Sequence, residues 1–151
     1  MKNNLIKIHY QPHDKNLIWC IYEYAKKTKR LIKETRYKLN AQTIEEIREY
    51  AKDTGNQLKT ISYHADGQTI WYLREYDKTT ANLIQETIYQ THTQIIDYIT
   101  KCDPQTGLPL KKIQYQPDGQ TIHYIVEYDD DGYKVMKETI YQPDDKKLII
   151  L

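Results

Sequence analysis

Ten of the 15 tyrosines in this chain belong to one ladder, nine of them in strict arithmetic step and Tyr10 one residue off it. Tyr24, Tyr37, Tyr50, Tyr63, Tyr76, Tyr89, Cys102, Tyr115, Tyr128 and Tyr141 follow one another at steps of 13, with Cys102 the single substitution. Tyr10 precedes Tyr24 by 14, the extra residue falling in "QPHDKNL". A fixed short period marks an array of one small structural unit repeated along the chain. Three and four residues after the ladder positions stand Asn40-Ala41, Asp53-Thr54, Asp66-Gly67, Asp118-Gly119, Asp131-Gly132 and Asp144-Asp145. Asp-Gly between alternating apolar runs is the strongest short-range hairpin signal, and in a two-residue turn both residues need positive φ. Turns every 13 residues leave strands of about eight or nine residues, a common length. The expected fold is all-β: an antiparallel meander of 26-residue hairpin repeats, forming a twisted or superhelical single sheet. A β-sandwich or closed barrel is the alternative, because either would hide the edge strands.

A longer period overlies the first. "LKTISYHADGQTIWYLREYD" (58–77) matches "LKKIQYQPDGQTIHYIVEYD" (110–129) at a shift of 52, and "LIKETRY", "LIQETIY" and "VMKETIY" are spaced alike. Residues 1–151 thus read as one repeat domain of three 52-residue units, 5–57, 58–109 and a truncated 110–151. Two segments, 41–52 and 93–102, also carry helical spacing; Ile44, Ile47 and Ala51 recur as on a helix face, and Thr43 with Glu46 makes a capping box. The unbroken 13-residue register favours strands there, since a helix rises about 1.5 Å per residue and a strand about 3.3 Å.

Placing the turn at Asp66-Gly67 pairs Tyr63 with Ile70, Ile61 with Tyr72 and Lys59 with Arg74. Strict alternation then gives one face bordered by tyrosines, with Ile18, Ile44, Ile70, Ile96 and Ile122 beside them. The other face holds Ile21, Ile47, Leu73, Ile99 and Ile125, laced with Glu23, Glu49, Glu75 and Glu127. Trp19, Trp71 and His123 recur on this second face at steps of 52, with Glu45 and Asp97 at the intervening positions. Tyr72, Tyr98 and Tyr124 form a row on the first. These six aromatic residues are the candidate partner-binding positions, as evenly spaced aromatics grip extended partners. Local packing within the sheet is the competing role.

Composition sets limits. Only 39% of the residues are hydrophobic, Phe is absent, and the net charge is +1. Tyrosine suits a half-wet face, its ring packed and its hydroxyl in water. Residues 1–60 hold 13 Lys/Arg against 7 Asp/Glu, a net +6, which leaves −5 for residues 61–151. No basic stripe of the nucleic-acid type stands out, and no apolar run is long enough to span a membrane. No apolar signal core follows Met1-Lys2-Asn3-Asn4.

Catalytic and metal signals are weak. Cys20 and Cys102 are far apart, and His9, His13, His64, His92 and His123 have no metal-ligand spacing. "EYDDDGYKVMKE" (127–138) has the outline of a calcium loop, but Glu stands first, Lys134 takes the apolar eighth position, and a hairpin explains the same residues. No catalytic residue, metal or cofactor is expected.

The repeat "YQPDGQTIHYIVEYDDDGYKVMKETIYQPD" resembles a repeat family of unknown function associated with phytoplasmas, insect-borne bacterial parasites of plants. Its Tyr, Asp-Gly, Thr-Ile, Glu-Tyr-Asp and second Gly positions carry the match, and copies cover residues 5–151. It resembles more loosely the Tyr-Asp repeats of bacterial surface toxins. The resemblance brings no catalytic residues. It implies a protein that, if a signal peptide has been removed, is secreted or delivered into a host cell; the bacterial cytoplasm is the alternative. The expected function is a non-enzymatic protein-binding module whose partner is a host or bacterial protein; the resemblance adds the role of a host-directed effector. A structural protein self-associating through its edge strands, with "KKLIIL" (146–151) as one edge, is the alternative.

Overall fold

A computed structural model describes residues 4–141 and 147–150, the last four as backbone only. Twelve strands follow in chain order: β1 (Leu5–Tyr10), β2 (Ile18–Tyr24), β3 (Leu31–Tyr37), β4 (Ile44–Tyr50), β5 (Gln57–Tyr63), β6 (Ile70–Tyr76), β7 (Leu83–Tyr89), β8 (Ile96–Cys102), β9 (Pro109–Tyr115), β10 (Ile122–Tyr128), β11 (Val135–Tyr141) and β12 (Lys147–Ile150). All lie in one antiparallel sheet whose spatial order is the sequence order. Among the described residues β1 pairs only with β2 and β12 only with β11, so the sheet is open, neither barrel nor sandwich. Segments 41–52 and 93–102 contain β4 and β8; their helical spacing yields to the strand register on both sides. The expected Asp144-Asp145 turn lies outside the described residues, as do Lys146 and Leu151 of the terminal segment.

Thirteen residues divide into seven of strand and six of turn, and two kinds of turn alternate from β2 to β10, the β10–β11 turn repeating the kind of β9–β10. Between β5 and β6, His64 N donates to Thr69 O (2.9 Å) and Gly67 N to His64 O (3.0 Å). Between β4 and β5, Ala51 N donates to Asn56 O and Gly55 N to Ala51 O, both 2.8 Å, a turn one residue wider. Each turn needs one left-handed residue rather than two. In the turns from β2 to β11 it is Ala41, Gly67, His92, Gly119 or Gly132 in the first kind and Lys29, Gly55, Ala81 or Gly107 in the second. The two-residue turn expected from Asp-Gly is therefore replaced by a six-residue loop capped by the aspartate. Asp66 Oδ1 accepts the amides of Gln68 and Thr69 at 2.9 Å, and Thr69 Oγ1 also bonds the carboxylate. Asp118 repeats the cap on Gln120 and Thr121.

The second departure from expectation reverses half of the side chains. In every hairpin from β1–β2 to β10–β11 the pairing slips by one residue near the turn. Tyr63 faces Ile70 as expected, but Ser62 faces Tyr72, Ile61 faces Leu73 and Lys59 faces Glu75. Trp71 is the extra residue of a β-bulge, so Trp71 and Tyr72 together oppose Ser62. The bulged positions, Trp19, Ile32, Glu45, Leu58, Trp71, Ile84, Asp97, Leu110, His123 and Met136, are themselves 13 apart.

Two faces result. Face A carries Cys20, Tyr22, Glu34, Arg36, Glu46, Arg48, Thr60, Ser62, Tyr72, Arg74, Glu86 and Tyr98. Face B carries a central row, Ile21, Thr35, Ile47, Ile61, Leu73, Thr87, Ile99, Ile113, Ile125 and Thr139. Beside that row runs a second: Glu23, Lys33, Glu49, Lys59, Glu75, Gln85, Lys101, Lys111, Glu127 and Lys137. Among the described residues the sheet has no second layer. Its accessible surface of 10015 Å² exceeds the roughly 8,100 Å² of a compact protein of this mass. Cys20, Ala51 and Cys102 are the only fully buried apolar side chains among the described residues.

Adjacent turns on the same edge of the sheet touch one another. Asn82 Nδ2 donates to Pro104 O and Gln105 O, Asn56 Nδ2 to Lys78 O and Thr79 O, and Gln90 Nε2 to Pro117 O. A Cβ on Gly67 would fall 2.3 Å from Thr43 Cγ2 and 3.1 Å from Ile44 N, whereas one on Gly55 would meet only Arg30 Cδ at 4.0 Å. Both glycines have positive φ. Gly55→Ala should therefore cost about 1 kcal/mol for backbone conformation alone, and Gly67→Ala about 2–3 kcal/mol because the stacked turns must also part. Denaturant titrations that rank the two equally would show that turn stacking is loose.

The aspartate caps make stability depend on pH. The Thr69 hydroxyl, then the Gln68 and Thr69 amides, hold Asp66 down at about 2, below its ordinary 3.8, and Asp118 is lowered by the same contacts. A depressed carboxylate stabilises the fold above its unfolded value and loses that contribution as pH falls through its folded value. The melting temperature should thus decline between about pH 5 and pH 2. The slope should flatten in Asp66→Asn combined with Asp118→Asn; an unchanged slope would place the acid sensitivity elsewhere.

Candidate functional site

The bulges decide what face A displays. Trp71 projects beside Tyr72, their rings 5.3 Å apart and edge-on at 63°, and His123 and Tyr124 repeat the pair with the same values. The tryptophans, expected opposite the tyrosine row, therefore stand on its face. Both are half-exposed, Trp19 at 47% and Trp71 at 51%. Tyr98 lies under the Lys112 ammonium at 4.0 Å, and Tyr72 under the Arg74 guanidinium at 4.6 Å. The structure thus joins Trp71 to Tyr72 and His123 to Tyr124. It sets Trp19 beside Cys20 on β2 and leaves Tyr98 next to the bulged Asp97, which accepts a 2.6 Å bond from Gln114.

Strand spacing fixes the intervals. Tyr72, Tyr98 and Tyr124 sit on β6, β8 and β10, about 10 Å apart at roughly 4.8 Å per strand. Trp19, Trp71 and His123 sit on β2, β6 and β10, about 19 Å apart. Two depressions adjoin them. One, of 400 Å³, is lined by Trp19, Tyr37, Lys38, Leu39, Asn40 and Glu45. The other, of 270 Å³, is lined by Arg36, Glu45, Glu46, Arg48, Ser62 and Tyr72. His64, on the turn beside Trp71, has its ring 6.3 Å from the indole and 5.4 Å from His92.

Between the aromatic positions runs a network the sequence did not announce. Glu34, only 4% exposed, accepts bonds from Arg36 Nε at 2.6 Å and Tyr50 Oη at 3.1 Å, and the Cys20 thiol lies 3.7 Å from it. Arg48 Nε pairs with Glu46 at 2.7 Å, Tyr72 Oη donates to Glu46 at 3.4 Å, and Arg74 pairs with Glu86 at 2.7 Å. The available signal was the Glu-x-Arg spacing in "KETRY" and "EEIRE", which puts both charges on one face of a strand. Burial pushes Glu34 upward, but the Arg36 and Tyr50 bonds outweigh it and its carboxyl ends below the usual range. Burial also raises the thiols of Cys20 and Cys102, which keeps both protonated and poor nucleophiles.

The calcium-like segment is resolved by the faces. Glu127 lies on face B between Lys111 (3.4 Å) and Lys137 (3.6 Å), whereas Glu138 pairs with Val126 on face A. Asp129 caps the turn through the amides of Tyr133 and Lys134. These carboxylates do not converge on one ion. No cluster of three metal-ligating side chains occurs among the described residues, and no helix is long and apolar enough to cross a membrane.

Glu34→Ala would leave Arg36 and the Tyr50 hydroxyl without their acceptor. Because Arg36 remains partly in water, the loss should be about 1–3 kcal/mol rather than the full cost of a buried broken pair. Chemical denaturation measures it, and an unchanged midpoint would make the network incidental.

Residues 2–36, 37–88, 89–139 and 115–150 match the model of a family described as "Protein of unknown function (DUF2963)". Three of these segments begin at ladder tyrosines, Tyr37, Tyr89 and Tyr115, the first two 52 residues apart. No curated protein matches the chain. Among solved structures, a crystal structure of an S. aureus TarM mutant in complex with Fondaparinux, alpha-GlcNAc-glycerol and UDP is similar at 8% identity and TM-score 0.41. The match covers 85% of this chain and 20% of that one, and a likeness at this level informs neither fold nor function.

Proposed function

The chain belongs to the DUF2963 family of proteins of unknown function, and from that premise we propose that it is a non-enzymatic repeat module that binds an extended segment of a partner protein along face A. The observation that carries this reading is the bulge-presented pair Trp71–Tyr72, half-exposed and repeated in form by His123–Tyr124. An aromatic anchor ringed by polar groups is the usual centre of a protein interface. Arg74, Glu86, Glu46 and Lys112 form that polar surround. A partner running along the repeat axis at about 3.3 Å per residue would meet the Trp19, Trp71 and His123 positions roughly every six residues. The bound sequence should therefore carry apolar side chains about six apart. That the partner belongs to a host, and that the protein acts outside the bacterium as an effector, are parts of this proposal suggested by the repeat's resemblance.

Selection from a random peptide display library tests it. Enriched peptides should lose more than tenfold in affinity for Trp71→Ala, as expected for an interface anchor, while the melting temperature moves by only a few degrees. If Trp71→Ala unfolds the chain, or binds the same peptides as tightly, the tryptophans serve the sheet and the reading fails.

A further inference from the structure

Face B presents a row of aliphatic and threonine side chains along an open sheet, with no second layer over it among the described residues. Ile21, Thr35, Ile47, Ile61, Leu73, Thr87, Ile99, Ile113, Ile125 and Thr139 form one line from β2 to β11. Leu110 and Met136, bulged on the same face, are 41% and 53% exposed. We infer that face B is the interface of a symmetric dimer, in which a second copy of this chain lies face to face and reversed, so that β2 of one copy covers β11 of the other.

Charge selects that partner and that orientation. A two-fold axis parallel to the strands, between β6 and β7, lays each row of face B on its own reverse. The charged row then brings Glu23 to Lys137, Lys33 to Glu127 and Glu49 to Lys111, with Glu75 meeting the neutral Gln85. Lys59 against Lys101 is the single like-charged meeting in this row. The net charges of the chain's two parts, +6 over residues 1–60 and −5 over residues 61–151, are likewise brought together. The apolar row is also self-complementary. Thr35, Thr87 and Thr139 are already buried within one copy and lie opposite Ile125, Leu73 and Ile21, so the apolar contacts between copies come from Ile47 on Ile113 and Ile61 on Ile99.

The size is adequate. Ten strands at about 4.8 Å, each roughly 20 Å long, offer on the order of 900 Å² per copy, close to the roughly 800 Å² per partner of a standard stable interface. Two sheets of the same twist stack with their strands nearly aligned, which keeps the central rows in contact. Face A remains outward on both copies, so the dimer is independent of the binding reading above.

Sedimentation velocity on the full chain across a wide concentration range is the test. The expected result is a monomer–dimer equilibrium that stops at two copies and weakens as salt rises, because charge pairs contribute to it. Leu110→Lys and Met136→Lys, both at exposed positions, should weaken dimerisation at least tenfold with the monomer still folded by circular dichroism. Trp71→Ala, on the other face, should not. Glu49→Lys and Lys111→Glu should each weaken the dimer, and the double variant should recover it, since the two residues lie five strands apart in one copy and can meet only between copies. A chain that stays monomeric overturns the inference. So does a series growing beyond two, which would signal edge-to-edge addition, or a charge swap without recovery.

Discussion

One unpaired residue per hairpin governs this molecule. Seven strand residues and six turn residues make 13, an odd number, so a uniform alternation would simply exchange faces with each repeat. The bulge in the second strand of each hairpin resets that alternation once per turn. It sets Trp71 and Tyr72 side by side and returns Leu73 to the line of Ile61. Without it, face B would have no continuous aliphatic row, and the aromatic pairs of face A would be divided between two surfaces. Because side chains alternate with a period of two, a slip of one residue reverses every assignment beyond it.

Stability in such a sheet cannot come from a thick core. Each strand touches only its neighbours, so the energetics are close to those of a one-dimensional array of local units. Three terms recur along the array: the cross-strand pair, a side-chain turn cap (aspartate or asparagine in most turns, threonine in 25–30 and 90–95), and the contact of one turn with the next on its edge. Polar groups take the buried positions that a two-layer protein would give to aliphatics. Thr35, Thr60, Ser62, Thr87, Thr139 and Glu34 are all below 9% exposure. On face B a row of Lys, Glu and Gln side chains runs beside the aliphatic row, where amphipathic stems can shield its flank.

The period, strand count, antiparallel order and alternation of repeats were legible because they depend on spacing alone. The tyrosine ladder located the strand ends, and its constancy correctly overruled the helical spacing of "IEEIREYA". What spacing could not show was the pairing within a hairpin. Asp66-Gly67 is compatible with a two-residue turn and with the capped six-residue loop, and only the loop moves Tyr72 from Ile61 to Ser62. The candidate residues were thus picked out in sequence but given to the wrong relative faces. The Glu34 network was missed for a related reason, since its members come from three strands whose register was not yet fixed.

The alternation at 26 and 52 residues has a physical use. A uniform 13-residue array would let any strand pair with any other of suitable direction, a hazard for repeat chains. Here the two turn kinds differ by one residue in their hydrogen bonding, so a strand entering the wrong hairpin carries a turn of the wrong width. Thr35, Thr87 and Thr139 mark every fourth strand of the aliphatic row, and each is flanked by Ile or Leu on its neighbours, as in Thr87 between Leu73 and Ile99. Moving a strand by two places would set Thr35 or Thr87 where Ile61 or Ile113 belongs, exchanging an apolar contact for a hydroxyl in the buried row. The fold is therefore specified by local consistency at several levels at once. A chain with so little core depends on that agreement more than a two-layer protein does.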